Sequence, residues 1–125
     1  MARSPVLTGA APQPSGTYSQ AIKAGDFLFL SGQGPFDARG NRVGETVADQ
    51  VHQTLTNLDQ VARAAGATLQ DAVHVTAYLS SLEVFDEYDA VYRGFFTEPF
   101  PSRSTIQSDL IGMDVEMDAI IWLGD

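Results

Sequence analysis

The strongest chemical signal in the sequence lies in two nearby segments, Pro99-Phe100-Pro101-Ser102-Arg103-Ser104-Thr105-Ile106 and Val115-Glu116-Met117-Asp118. The two prolines fix the backbone φ angle and end any helix that precedes them. A β-strand is expected to follow, starting beside Arg103. A guanidinium group can hold a planar carboxylate with two parallel hydrogen bonds. On spacing alone, Arg103 is explained equally well as a salt-bridge partner or as a carboxylate-binding side chain.

The composition is that of one acidic globular domain, which we take to span residues 1–125. Hydrophobic residues make up 44% of the chain and charged residues 18%, a balance that argues against disorder. The formal net charge of −9 disfavours nucleic acids and anionic membranes as partners, because an acidic surface repels both. A single arginine in a pocket can still attract a small anion.

The sequence contains no cysteine, which removes disulfides, thiolate catalysis and cysteine metal sites. His74 has no second histidine at metal-ligand spacing, so no metal site is predicted. No apolar run approaches the ~18 residues that a membrane helix needs, and the N-terminus lacks the apolar core of a signal peptide. We therefore expect a cytoplasmic protein.

The apolar periodicity predicts two helices and several strands. Thr46 and Asp49 resemble a capping box at the start of a helix whose apolar stripe ends at Gly66. Ser80 and Glu83 form a similar pattern before a second helix, which runs to the prolines. Strands are predicted at residues 27–30, 72–79, 104–110 and 115–123. The first of these is a continuous apolar run, so we expect it to be buried on both faces.

These elements predict an α+β fold in which two helices cover one face of a mixed sheet, as a two-layer sandwich. A further strand or hairpin is expected near the N-terminus. The other face of the sheet carries many apolar side chains, and no helix is left to cover it. Burying that face requires a partner, so the pattern predicts a homo-oligomer.

Four motifs lie in order along nearly the whole chain. They are Gly16-Thr17-Tyr18-Ser19-Gln20-Ala21, Leu30-Ser31-Gly32-Gln33, the helix with Gln53, Leu55, Asn57-Leu58 and Ala65-Gly66, and Phe100-Pro101-Ser102-Arg103-Ser104. In this order and spacing they resemble the RidA/YjgF family, the reactive intermediate deaminases that are also described as endoribonuclease L-PSP. The resemblance implies a chorismate-mutase-like fold and a homotrimer with clefts at its subunit interfaces.

The resemblance also implies a reaction, the hydrolysis of 2-aminoacrylate and related enamines and imines to 2-oxo acids and ammonia without a cofactor. Arg103 would hold the substrate carboxylate, and Asp118 would position or deprotonate a water molecule. Tyr18 would close the pocket, which Ser31 and Gly32 would line.

Three positions differ from the pattern of the deaminating members. Asp118 stands where they carry glutamate, and its side chain is shorter by one methylene, which reduces its reach by ~1.5 Å. A displacement of about 1 Å between a catalytic group and its target can slow catalysis. Thr105 stands where they often carry cysteine, and Asp89 stands where they often carry asparagine; both are expected to border the substrate.

Four functions therefore stay open. They are an imine or enamine deaminase, a non-catalytic trimer that binds small 2-oxo or amino acids, a ribonuclease, and a hydrolase for another small substrate. The net charge argues against the ribonuclease. Arg103 supports the first two equally, while Asp118 and Asp89 favour the second slightly.

Overall fold

The structure, a computed structural model, describes residues 2–124. Its strands are β1 (Ser4–Val6), β2 (Ala21–Ala24), β3 (Phe27–Gln33), β4 (Ala72–Leu79), β5 (Ser102–Gln107) and β6 (Val115–Trp122), and its helices are α1 (Val47–Ala64) and α2 (Phe85–Phe95). The strands form one six-stranded sheet in the order β1-β2-β3-β6-β4-β5. Strands β4 and β5 are parallel, and the other neighbours are antiparallel. The predicted α+β two-layer sandwich, with two helices on a mixed sheet, is confirmed.

The strand boundaries follow the sequence most closely where side chains alternate. Strand β4 spans the predicted residues 72–79, and every second residue from Val75 to Leu79 is buried. Strand β5 begins at Ser102 and ends at Gln107, earlier than the predicted 104–110. The expected N-terminal addition is present, since β2 pairs with β3 and β1 pairs with β2.

Helix α1 begins and ends where the sequence predicts. The side-chain oxygen of Thr46 accepts a hydrogen bond from the backbone N–H of Asp49 at 3.1 Å, which satisfies one of the free donors of the first turn. Val51 and Leu58 of the apolar stripe are fully buried. Gly66 has a φ of 84°, a left-handed conformation that glycine adopts without steric strain and that ends the helix.

The predicted start of the second helix is wrong. Ser81, and not Ser80, accepts the capping hydrogen bond from the backbone N–H of Glu83 at 3.1 Å. It begins a short 3₁₀ helix, Leu82–Val84, that leads into α2. Ser80 still belongs to the end of the sheet, because its backbone N–H donates to the carbonyl of Asp114 at 3.0 Å and its hydroxyl donates to Asp114 Oδ1 at 2.8 Å.

A buried glutamine connects α1 to the loop that leads into β6. The side chain of Gln50 is fully buried. Its Nε2 donates to Asp114 Oδ2 at 2.9 Å, and its Oε1 accepts from the backbone N–H of Asp114 at 2.8 Å. Buried polar groups destabilise a fold unless they are paired, so this reciprocal pair fixes the start of β6 against the helix layer.

We predict that Gln50→Leu lowers the free energy of unfolding by about 2 kcal/mol, because it leaves the Asp114 N–H and carboxylate without their buried partner. Urea denaturation measures the change. Gln60→Leu is the matched control. Gln60 lies on the same helix, and its side chain makes no hydrogen bond to any residue that the structure describes. An equal effect of both substitutions would contradict the assigned role of Gln50.

The face of the sheet opposite the helices, here named the open face, is uncovered in a single chain. The prediction that residues 27–30 are buried on both faces is wrong for this chain alone. Leu28 and Leu30 lie beneath the helices, whereas Phe27 and Phe29 are 41% and 46% exposed. Trp122, the strand partner of Phe27, is 44% exposed. The alternation of a β-strand sends these side chains to the open face, where only another molecule can bury them.

Candidate functional site

Strand β5 places Arg103 on the helix-covered face of the sheet. Arg103 lies beside Val75 of β4 in the parallel ladder, and Val75 is fully buried. Its guanidinium carbon lies 4.6, 5.2 and 5.5 Å from the ring centres of Tyr92, Tyr88 and Phe85. These three aromatic side chains attract the cation through their ring faces and limit the directions in which its N–H groups can point.

Asp89 of α2 holds the same guanidinium group. Arg103 Nη1 donates to Asp89 Oδ1 at 2.8 Å, and Arg93 Nη2 lies 3.4 Å from Asp89 Oδ2. Burial disfavours the charge on Arg103, but the hydrogen bond and charge of Asp89 outweigh it and raise the Arg103 pKa. The salt-bridge interpretation of Arg103 is therefore correct, and it does not exclude ligand binding.

The same arginine borders a cleft of about 340 Å³. The cleft is lined by Asp89, Tyr92, Arg93, Phe100, Pro101 and Arg103. The hydroxyl of Tyr92 is buried without a hydrogen-bond partner among residues 2–124, and burial raises its pKa. Two arginines, one aspartate and an aromatic wall suit a small anionic ligand with an apolar part.

Thr105, predicted to border the substrate, lies behind this aromatic wall. Its hydroxyl is 3.2 Å from the hydroxyl of Tyr88. Burial raises the pKa of Tyr88, and the bond to Thr105 opposes the shift. Thr105 is not part of the cleft lining; in a single chain it supports a ring on which Arg103 packs.

Tyr18 lies at a second cleft, of about 350 Å³, which also includes Gln33 and Glu116. The Tyr18 hydroxyl accepts from the backbone N–H of Ser15 at 3.2 Å, and its ring is half-exposed. Ser31 is next to this cleft in sequence, but its hydroxyl donates to the carbonyl of Ser19. In a single chain Ser31 therefore fixes the Tyr18 loop to β3.

Gly32 lets Glu116 approach the backbone of β3. A Cβ atom at position 32 would lie 2.5 Å from Glu116 Oε2, so any larger residue there would force the Glu116 carboxylate to move. Glu116 is half-buried, and burial, followed by the charge of Asp118, raises its pKa. Gly32 is predicted to line the substrate pocket. In a single chain it leaves room for the Glu116 carboxylate, which the sequence analysis did not assign to the site.

Asp118 lies on the open face, directly opposite Thr76 of β4. Burial raises its pKa, while the nearby charge of His74 and a hydrogen bond from Thr76 oppose the rise. Arg103 is level with Val75, one residue earlier on β4. Because successive residues of a strand point to opposite faces, the sheet separates Arg103 from Asp118 within one chain.

The predicted site residues therefore form three groups. Arg103, Asp89 and Thr105 lie together on the helix-covered face. Tyr18 lines the second cleft, while Ser31 binds the neighbouring Ser19 and Gly32 lies beside Glu116. Asp118 lies on the open face. Sequence analysis missed Glu116 and His74 as parts of this arrangement. The signal for Glu116 was present, since Glu116 and Asp118 are two residues apart on one strand and must share a face.

Among the described residues, no three side chains of the metal-binding types come together. In the same range, neither helix has the length and apolar character required to cross a bilayer.

The family model described as Endoribonuclease L-PSP matches residues 8–122, a range that contains both clefts and all predicted site residues. This chain belongs to that family, RidA/YjgF. A RutC family protein of Sinorhizobium fredii is 43% identical over 122 residues, which are 95% of this chain and 97% of that protein. A 2-iminobutanoate/2-iminopropanoate deaminase of Dermatophagoides farinae is 38% identical over 102 residues, covering 81% of this chain and 80% of that one.

The fold agrees with this membership. The crystal structure of RidA from the Antarctic bacterium Psychrobacter sp. PAMC 21119 superposes with a TM-score of 0.90 and 32% identity, over 95% of this chain and 98% of that chain.

We predict that Glu116→Gln raises the thermal midpoint of unfolding at pH 7. The pKa of Glu116 is raised in the folded state, so its ionised form opposes folding at every pH above the folded-state pKa. The gain disappears as the pH falls below about 4, where the carboxyl is protonated in both states. Calorimetry at a series of pH values measures it, with exposed Glu45→Gln as the control. A gain that persists at low pH would refute the electrostatic cause.

Proposed function

We propose that this RidA/YjgF member hydrolyses reactive 2-enamine and 2-imine acids, of the 2-aminoacrylate and 2-iminopropanoate type, to 2-oxo acids and ammonia. The observation that carries the proposal is the position of Arg103. It is held by Asp89 and three aromatic rings at the edge of a cleft, yet it is not fully buried. A preorientated guanidinium group of this kind suits a planar carboxylate. The deaminase of Dermatophagoides farinae supports the reaction type.

The chemistry requires little from the protein beyond positioning. Arg103 would hold the carboxylate and so orient the imine carbon toward a water molecule. Asp118 would accept a proton as the water oxygen bonds to that carbon. The C–N bond then breaks, and the nitrogen leaves as ammonia with both water hydrogens. The products are a 2-oxo acid and ammonia, with no oxidant or reductant needed.

A complete site of this kind needs more than one chain. Arg103 and Asp118 lie on opposite faces of the same sheet, so both can reach one small substrate only when a second copy supplies one of them. The exposed aromatic residues of the open face favour such assembly. We propose a homotrimer with its clefts between subunits, as the family resemblance implies.

We predict that an equimolar mixture of Arg103→Ala and Asp118→Ala subunits, unfolded and refolded together, regains activity that neither variant has alone. Random assembly gives about a quarter of the sites an intact pair if the two residues come from different chains. It gives none if they come from one chain. Deamination of 2-iminopropanoate, generated in situ by an amino-acid oxidase, measures the result. Sedimentation velocity checks for a trimer; a 13.4 kDa monomer would exclude the assembly.

We also predict that Arg103→Ala weakens the binding of pyruvate about tenfold or more, because charge-assisted hydrogen bonds to the carboxylate are lost. Asp89→Asn should strengthen the same binding, since it removes the carboxylate that competes for Arg103. Titration calorimetry measures both. Unchanged affinity in Arg103→Ala would remove the basis of the proposed substrate class. Arg63→Ala, which breaks an exposed pair with Asp59, is the control.

The runner-up function is a trimer that binds small 2-oxo or amino acids without turnover. The shorter reach of Asp118 and the prior pairing of Arg103 with Asp89 favour it. It predicts pyruvate binding that depends on Arg103 but no acceleration of imine decay. The acidic net charge argues against ribonuclease activity, and the cytoplasmic location stays a prediction.

A further inference from the structure

A row of polar side chains crosses three strands of the open face and ends at Asp118. Ser102 of β5 lies beside His74 of β4, and Thr76 of β4 lies opposite Asp118 of β6. His74 Nδ1 is 2.8 Å from Ser102 Oγ, and His74 Nε2 is 3.3 Å from Thr76 Oγ1. The imidazole ring is thus held at both nitrogens, and it connects the edge strand to the partner of Asp118.

The positions of the hydrogens in this row follow from the number that each group has. Ser102 has one hydroxyl hydrogen, and it donates that hydrogen to the carbonyl of Val73 at 3.0 Å. Nδ1 of His74 must therefore be the donor in its contact with Ser102. Nε2 then accepts a hydrogen bond when the ring is neutral and donates one when the ring is charged.

Thr76 also has one hydroxyl hydrogen, and two groups compete for it. When His74 is neutral, Nε2 has a free lone pair, and the hydrogen of Thr76 points toward it. When His74 is charged, Nε2–H donates to Thr76 Oγ1, and the hydrogen of Thr76 is free to donate to Asp118. With Asp118 ionised, every donor in the row has an acceptor in either state of His74, and the charge on His74 decides whether the Thr76 hydrogen points to Nε2 or to Asp118.

We propose that His74 is a positioning residue for Asp118, and that it acts through the hydroxyl of Thr76 so that the charge on His74 sets how strongly Asp118 holds a proton. Charged His74 stabilises the Asp118 carboxylate in two ways, by its own field and by releasing the Thr76 hydrogen. Neutral His74 withdraws both. The directions of the effects on the Asp118 pKa, lowered by His74 and by Thr76 against the rise from burial, agree with this geometry.

Few other titratable groups face this row. On β6 the neighbour is Glu116, whose charge interacts with Asp118, and on β4 it is Tyr78, which lies opposite Glu116. Strands β3 and β5 present Phe27, Phe29, Ser102, Ser104 and Ile106 to the open face, none of which titrates in the relevant range. Within the described part of one chain, His74 is the group that can bring a positive charge to Asp118.

For the proposed deamination, this arrangement would adjust the proton affinity of Asp118, the general base. When His74 is neutral, the Thr76 hydrogen turns away from Asp118, and the carboxylate becomes a stronger proton acceptor. General-base catalysis is most effective when the pKa of the base lies near the working pH. This consequence rests on the proposed function, whereas the coupling of His74 to Asp118 does not.

Carboxyl-carbon NMR of the intact, aspartate-labelled protein tests the coupling directly, with the Asp118 signal assigned by its loss in Asp118→Asn. In the wild type the signal should show two steps, its own titration and a second step as His74 loses its proton. In His74→Gln the second step should vanish, and the midpoint of the first should rise by about half a pH unit or more. In Thr76→Val the midpoint should rise and the second step should shrink.

His52→Gln is the matched control, because His52 is the other histidine of the chain and packs against Phe95 on the helix side; it should leave both steps in place. A single Asp118 step in the wild type, with the same midpoint in His74→Gln and Thr76→Val, would overturn the proposal. If the wild type deaminates imines, the acid limb of its kcat/KM profile should move upward in His74→Gln. Coupling seen by NMR without any turnover would refute the deaminase function alone.

Discussion

The alternation of side chains along β4 is the constraint on which the arrangement of this protein depends. Successive residues of a strand point to opposite faces of the sheet, and β4 pairs with β5 on one side and β6 on the other. Its register sends Arg103 to the helix-covered face with Val75 and sends Asp118 to the open face with Thr76. A shift by one residue in either ladder would exchange the faces, so the register decides which chemistry each side of the sheet can perform.

The helix-covered side gives Arg103 a fixed direction and a compensated charge. A cation at the border of a hydrophobic layer loses hydration, and it is stable there only with a partner. Asp89 supplies that partner, and the rings of Phe85, Tyr88 and Tyr92 supply a surface on which a flat cation is favoured. A single chain therefore already holds a guanidinium group of fixed direction and compensated charge at the border of a cleft.

The open face combines features that a monomeric protein usually avoids. Exposed aromatic residues share this face with a row of polar groups that ends at Asp118. Asp118 and its neighbour Glu116 are both half-buried carboxylates. The aromatic residues favour association through this face, and association would remove more water from the carboxylates. Association through this face and the proton affinity of its carboxylates would then depend on the same surface.

Local signals in the sequence located several elements correctly. The alternation at 72–79 located β4, the oxygen of Thr46 and the freedom of Gly66 located the ends of α1, and the motifs around Tyr18, Ser31 and Arg103 indicated the RidA/YjgF family. They failed where the partner of a group is distant. Ser80 was assigned as a helix cap, but Asp114, 34 residues away, binds it.

The tertiary structure alone decided how the predicted site residues are grouped. Whether Phe29 is buried, whether Arg103 and Asp118 share a face, and whether His74 meets Ser102, 28 residues away, all depend on strand pairing. Side-chain alternation is encoded by each strand separately and can be read from its residues. Register is set by the combined packing of both strands, the helices and the loops, and no single segment contains that information.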